Sequence, residues 1–252
     1  MLANQMLGPS TNSTRLALAH GFTQNSRCWG EFGSICSQNF DVIAMDAPGH
    51  GWSGYDNATL PQAGDLLVKA GGRAHYVGYS MGGRMLLHRA LVTPAHEIQS
   101  LILIGATAGI ESPTERAERK VQDEARAARL LEIGTQAFIE EWLAQPMFAR
   151  LTDEQSAKSK RFENAPEGMA ASLRACGTGS QESLWPHLST LRMPVLIIAG
   201  THDQKYTEIG QRMVEAIGSN ARFVNIEGGH AVHLENPAVT AAVIGSWGEQ
   251  LS

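Results

Sequence analysis

The residues with the clearest chemical meaning in this 252-residue sequence are a serine and the glycines flanking it. Gly78-Tyr79-Ser80-Met81-Gly82 reads G-x-S-x-G, follows the apolar run HYVGY at 75–79 and leads into the helix-forming GRMLLHRAL. A strand–turn–helix of this kind is sharp enough to force the serine backbone into a strained conformation, and only glycine leaves room for strand and helix to pack around it. Ser80 is therefore expected at a helix N-terminus, where free N–H groups and the helix dipole favour negative charge. The plainer reading is a turn of small residues without chemistry. Arg84 follows Ser80 by four residues, one helical turn deeper on the same face. A cation so near a reacting hydroxyl suits an anionic substrate held close to it, the alternative being a structural ion pair.

Such a turn needs a sheet beneath it. Apolar runs occur at 16–19 (LALA), 42–45 (VIAM), 75–79, 101–105 (LILIG), 195–200 (VLIIAG) and 222–226 (RFVNI). Most are continuous, as in parallel strands covered on both faces, and helical patterns such as 82–92 and 207–217 separate several of them. This predicts a doubly wound α/β sheet with its site along the edge where the strand C-termini emerge. Between about 112 and 185 the strand rhythm stops. ESPTERAERKVQDEARAARLLEIG is rich in Ala, Glu and Arg with helical period, and TQAFIEEWLAQ sets Phe138 and Trp142 on one helical face. The expected organisation is a sheet core over 1–111 and 186–252 with an inserted helical cap over 112–185.

The formal net charge is -5 and no run of Lys or Arg forms a basic arm, which argues against nucleic-acid binding. Cys28, Cys36 and Cys176 are odd in number and form no C-x-x-C, so they read as reduced thiols. The N-terminal MLANQMLGPSTNSTR has no apolar signal core, and no apolar run approaches the roughly 20 residues of a membrane span. A cytoplasmic location without membrane attachment or an obligate protein partner is expected.

The serine turn in this context resembles the nucleophile elbow of the α/β-hydrolase fold. Chain order in that fold is Ser, then Asp or Glu, then His. Asp203 lies just past VLIIAG and His230 lies in Glu227-Gly228-Gly229-His230 after RFVNI, which makes them the candidate acid and base. Asp203 would fix the imidazole tautomer and stabilise its cation. A turn role for Asp203 and a loop cap for His230 are the alternatives, with His202 and His233 as competing histidines. The oxyanion N–H groups would come from Phe22, in the loop His20-Gly21-Phe22, and from Met81. His20 reads as structural. His50, in Asp46-Ala47-Pro48-Gly49-His50-Gly51-Trp52-Ser53, reads as part of the family's D-x-P-G-H-G-x-S turn. A serine at the elbow argues against the dehalogenases and epoxide hydrolases of this fold, which use aspartate.

Further segments narrow the resemblance. Glu115-Arg116-Ala117-Glu118-Arg119 supplies R-x-x-R, and Trp142-Leu143-Ala144-Gln145-Pro146-Met147-Phe148 supplies W-x-x-Q-P-x-F. Arg161 precedes Phe162-Glu163-Asn164, the stretch 177–185 reads G-T-G-x-Q-x-x-L-W, and Asp203-Gln204-Lys205-Tyr206 reads D-x-K-[FY]. With GYSMGGR, this series resembles the 2-succinyl-6-hydroxy-2,4-cyclohexadiene-1-carboxylate (SHCHC) synthases of menaquinone biosynthesis, over roughly 14–247. The resemblance implies a lyase that takes a ring proton and eliminates pyruvate, with Ser80, activated by His230, as the base. It implies no metal and no organic cofactor. The substrate would be a small tricarboxylate bound by Arg84, Arg119 and Arg161, in a pocket lined by Tyr79 and Trp142. A serine hydrolase of a C–C bond or ester in an acidic substrate, and a non-catalytic ligand-binding protein of the same fold, are the other readings. Departures from the family pattern lie in the short stretch before the first parallel strand, the segment between Gly54 and Tyr76, and the Gly105–Ile110 loop.

Overall fold

Each anticipated apolar run forms a strand in the computed structural model, which describes residues 1–9, 12–54, 57–92 and 96–249. The strands are β1 (Asn4–Leu7), β2 (Arg15–Ala19), β3 (Asp41–Met45), β4 (Ala74–Tyr79), β5 (Ile98–Ile104), β6 (Val195–Gly200) and β7 (Ala221–Ile226). They form one sheet in the order β1-β3-β2-β4-β5-β6-β7. Pairings from β3 through β7 are parallel, and only β1 runs antiparallel, against β3.

Side chains alternate across this sheet and build two cores. On one face Ala17, Ala19, Tyr76, Leu101 and Ile197 join residues of α2 (Leu60–Gly71), α3 (Met81–Ala90) and α8 (Gln204–Ile217). On the other Leu16, Leu18, Val77, Ile102 and Ile198 meet α1 (Gly30–Cys36), α9 (Val232–Glu235) and α10 (Pro237–Glu249). The parallel strands therefore have apolar side chains on both faces, which explains their unbroken apolar runs. The edge strand β1 does not, and its half-buried alternation in four residues escaped the sequence reading.

Between β5 and β6 the described chain contains helices and no strand. α4 (Pro113–Leu143) starts at Ser112, whose side chain accepts from the Glu115 N–H, and it breaks at Gly134, where φ is 77°. α5 (Asp153–Ser156), α6 (Lys158–Arg161) and α7 (Pro166–Cys176) follow. Ala127, Leu130 and Phe138 of α4 pack against Met169, Ala170 and Leu173 of α7, giving this segment an apolar core of its own. Among the described residues, no helix is long and apolar enough to cross a membrane.

Candidate active site

Ser80 joins β4 to α3 with φ 49° and ψ −106°, a conformation rare for any residue but glycine. Holding it costs on the order of 1–3 kcal/mol, so the surroundings must over-determine it. They do so through close packing and two hydrogen bonds. Ser80 N–H donates to Ile104 O at 2.8 Å, and its carbonyl accepts from Arg84 N–H at 3.1 Å. A Cβ on Gly82 would run into the carbonyl of Ala19, and one on Gly78 would run into the Gly83 backbone.

The loops after β6 and β7 carry the two partners. His230 Nδ1 lies 2.6 Å from Asp203 Oδ2, and His230 Nε2 lies 3.4 Å from Ser80 Oγ. A carboxylate only accepts, so Nδ1 carries the proton and Nε2 offers its lone pair to the serine hydroxyl. The serine contact is long, as such contacts often are before a substrate tightens them. Gly105 makes space for the base, since the His230 ring comes within 2.9 Å of where a Cβ on that residue would stand. Tyr79 and Tyr206 flank the ring, with centroids 5.4 and 4.6 Å away, and Phe148 meets it edge-on.

The other histidines are held elsewhere. His20 uses both ring nitrogens, bonding Gly21 O at 2.8 Å and accepting from Ala47 N–H at 3.0 Å. His50 is buried against His20 and Phe22, bonds Pro48 O, and is pushed down to about 3 by burial. His202 is exposed and pairs with Glu227 at 2.7 Å. His233 is buried among Trp29, Phe32 and Tyr79, and burial holds it neutral, at about 3.

The residues singled out in the sequence converge. Ser80, Asp203, His230, Phe22, Met81, Tyr79, Arg84, Arg119, Trp142 and Arg161 all line one cavity. Arg84 is buried and donates from Nη1 to Cys176 O at 2.7 Å. Arg161, 1% exposed, donates from Nε to Ser156 O and from Nη1 to Thr23 Oγ1. Neither has a carboxylate partner among the described residues, and burial lowers the pKa of both. Arg119 bonds Asp123 through Nε at 2.8 Å. Gln145, Phe148, Lys205 and Tyr206 share the cavity, and the W-x-x-Q-P-x-F and D-x-K-[FY] segments were their signal. Arg126 also lines it and carried no signal, being one of many arginines in an Ala/Glu/Arg-rich helix.

Asn164 stands in the Phe162-Glu163-Asn164 segment but was assigned no role. It is buried, its Oδ1 accepts from Gly51 N–H at 2.6 Å, and its Nδ2 donates to Thr23 O at 2.8 Å. It thus ties the segment after α6 to the loops following β2 and β3. Asn164→Ala strands the buried Thr23 carbonyl and the part-buried Gly51 N–H and is expected to lower the unfolding free energy by about 2–3 kcal/mol, measured by urea denaturation. A change below about 0.5 kcal/mol, the usual effect of a surface substitution, would show that water replaces these bonds.

A strained serine at a strand–helix elbow, with an imidazole and a carboxylate delivered by later strand ends, defines a class. The chain belongs to the alpha/beta hydrolase family, whose sequence profile matches residues 16–243. Within that family it is a homologue of the SHCHC synthases. It is 31% identical to a Bacillus subtilis (strain 168) protein provisionally given that name, over 94% of this chain and 90% of the other. The SHCHC synthase of Serratia proteamaculans (strain 568) is 29% identical, over 88% of each chain. MenH from S. aureus superposes with a TM-score of 0.87 at 29% identity, covering 99% of this chain and 98% of the other. An esterase from Thermogutta terrifontis, at 24% identity and TM-score 0.84, shares the fold.

Proposed function

We propose that this chain is an SHCHC synthase of menaquinone biosynthesis, acting in the cytoplasm on 2-succinyl-5-enolpyruvyl-6-hydroxy-3-cyclohexene-1-carboxylate. The observation that carries the reading is the charge facing Ser80. Arg84, Arg119, Arg126, Arg161 and Lys205 line the cavity, and among the described residues Asp203, in the lining, and Asp123, bonded to Arg119 and Arg126, offset them. Five cations against two carboxylates leave three positive charges, which matches a tricarboxylate. An esterase pocket for neutral substrates would gain nothing from desolvating so many guanidiniums.

In this reading His230 Nε2 draws the proton from Ser80 Oγ while Oγ takes the ring proton alpha to the succinyl ketone. The C–H electron pair moves into an enolate, whose oxygen is held by the Phe22 and Met81 N–H groups. Among the described residues no hydrogen bond occupies either N–H. Collapse of the enolate forms the C2=C3 bond, shifts the existing ring C3=C4 bond to C4=C5, breaks the C5–O bond and releases the enol of pyruvate. The leaving oxygen recovers the proton held by His230. Asp203 keeps the imidazole in the required tautomer throughout. The segment 112–185 serves as the cap that brings Arg119, Trp142 and Arg161 over a core of 1–111 and 186–252.

The deciding assay supplies the enolpyruvyl cyclohexene substrate and couples pyruvate to lactate dehydrogenase, beside a panel of aryl esters. Rapid ester turnover without pyruvate would overturn the lyase in favour of a hydrolase, and inactivity on both would point to a binding protein. Arg84→Ala is expected to lower kcat/KM roughly 10- to 150-fold, the equivalent of a charged hydrogen bond worth about 1.5–3 kcal/mol. An unchanged kcat/KM would remove Arg84 from the site.

A further inference from the structure

Asp123 stands on α4 four residues after Arg119 and three before Arg126, so the three share one helix face. Its side chain is 2% exposed and accepts from three donors. Oδ1 takes Arg119 Nε at 2.8 Å and Arg126 Nη1 at 3.3 Å, and Oδ2 takes the Gly179 N–H at 3.0 Å. A carboxylate this buried is costly unless it is paired, and one guanidinium would already pair it. The second, Arg126, remains 36% exposed. It lines both the cavity over Ser80 and an outer cleft, with Trp142 and Gln145 common to the two. Arg126 therefore sits at the mouth.

We propose that Arg126 binds the outermost carboxylate of an anionic substrate and thereby sets specificity, and that Asp123 is the positioning residue that holds Arg119 and Arg126 as one fork. Two guanidiniums two helical turns apart that converge on one point repel each other, and the buried carboxylate between them offsets that repulsion. Arg119 spends only Nε on Asp123, and Arg126 only Nη1, so each keeps N–H groups for a ligand. The bond to Gly179 N–H extends the frame to the 177–178 loop, which lines the cavity beside Cys176, the residue whose carbonyl holds Arg84. Through Asp123 and the 176–179 backbone, Arg119 and Arg126 share one support with Arg84, the arginine below Ser80.

The inference rests on the anionic-substrate reading, so its test has a readout independent of turnover. Pyruvate release is measured against substrate concentration for wild type, Arg126→Gln, Arg126→Lys and Asp123→Asn. The same proteins are titrated calorimetrically with benzene-1,2,4-tricarboxylate, an unreactive trianion. Arg126→Gln is expected to raise KM about tenfold with kcat within about twofold, and to weaken binding of the trianion about tenfold, as loss of one rim charge pair implies. Arg126→Lys should recover most of both losses, which a packing defect would not do. Asp123→Asn should raise KM further and also lower kcat, because Arg119 loses its anchor; if that variant does not fold, the Arg126 pair still decides. Wild-type KM and affinity in Arg126→Gln would overturn the inference while leaving the lyase standing. Absence of pyruvate from wild type, with the tenfold difference in trianion affinity intact, would overturn the lyase and leave the fork.

Discussion

Ser80→Ala is expected to reduce pyruvate release at least about 10³-fold while leaving substrate affinity near that of wild type, because it removes the group proposed to take the ring proton but none of the cavity's cations. The lone pair of His230 Nε2 faces Ser80 Oγ at 3.4 Å, and the alanine variant leaves no relay between that lone pair and a substrate carbon. The companion measurement separates a base from a nucleophile. Intact-mass spectrometry of wild type, quenched during turnover, should show only the unmodified chain. A covalent adduct on Ser80 would mean attack on carbon and would restore the hydrolase reading. Pyruvate release by the alanine variant near the wild-type rate would dismiss Ser80 as the base altogether.

The groups proposed for this chemistry were readable in the sequence where short-range rules govern them. The elbow is legible because a strained serine between strand and helix requires glycine at neighbouring positions, and the Ala19 carbonyl beside Gly82 shows why. Asp203 follows the continuous apolar run VLIIAG and His230 the less regular RFVNI, so the fold's chain order could be counted along them. Arg84 was found by helical period alone. Asp123 and Arg126 were not singled out and Asn164, though in the Phe162-Glu163-Asn164 segment, was given no role, for a shared physical reason. Each acts through a contact set by how the inserted helices dock. Asp123 reaches Gly179 across 56 positions and Asn164 reaches Gly51 across 113. Local composition around Arg126 offers many equivalent arginines, and only docking decides which of them faces Ser80. β1 was missed because an edge strand need not be apolar on both faces.

Acidification should destabilise this protein steeply. His50 and His233 are both buried in the folded chain and held at about 3, chiefly by desolvation. In the unfolded chain each titrates near 6.5. Between those values the unfolded chain binds protons that the folded chain refuses. The stabilisation is therefore complete above pH 6.5, falls as pH drops through the window and levels off below about 3. The slope is about 1.4 kcal/mol per pH unit per histidine, so the pair removes about 4 kcal/mol between neutrality and pH 5, a large part of a typical domain stability. Urea denaturation at pH 7 and pH 5 measures the loss. His233→Phe, placed among Trp29, Phe32 and Tyr79, should cut that loss by about 2 kcal/mol, since one titration disappears while those of His50, His20, His75 and His88, all lowered chiefly by burial, remain. The same pH slope in the variant would show that other groups carry the acid sensitivity.

The break in α4 at Gly134 leaves a division of labour along one helix. The arm before it carries Arg119, Asp123 and Arg126, and the arm after it carries Phe138 and Trp142. On the proposed reading, charge recognition and aromatic shape lie in separate stretches of sequence. A lineage, or an engineer, can shift the spacing of arginines on the first arm to suit a ligand with a different arrangement of acids without disturbing the aromatic wall on the second. On the proposal that Arg126 sets specificity, substrate range follows helix register and changes when one charge moves by a turn.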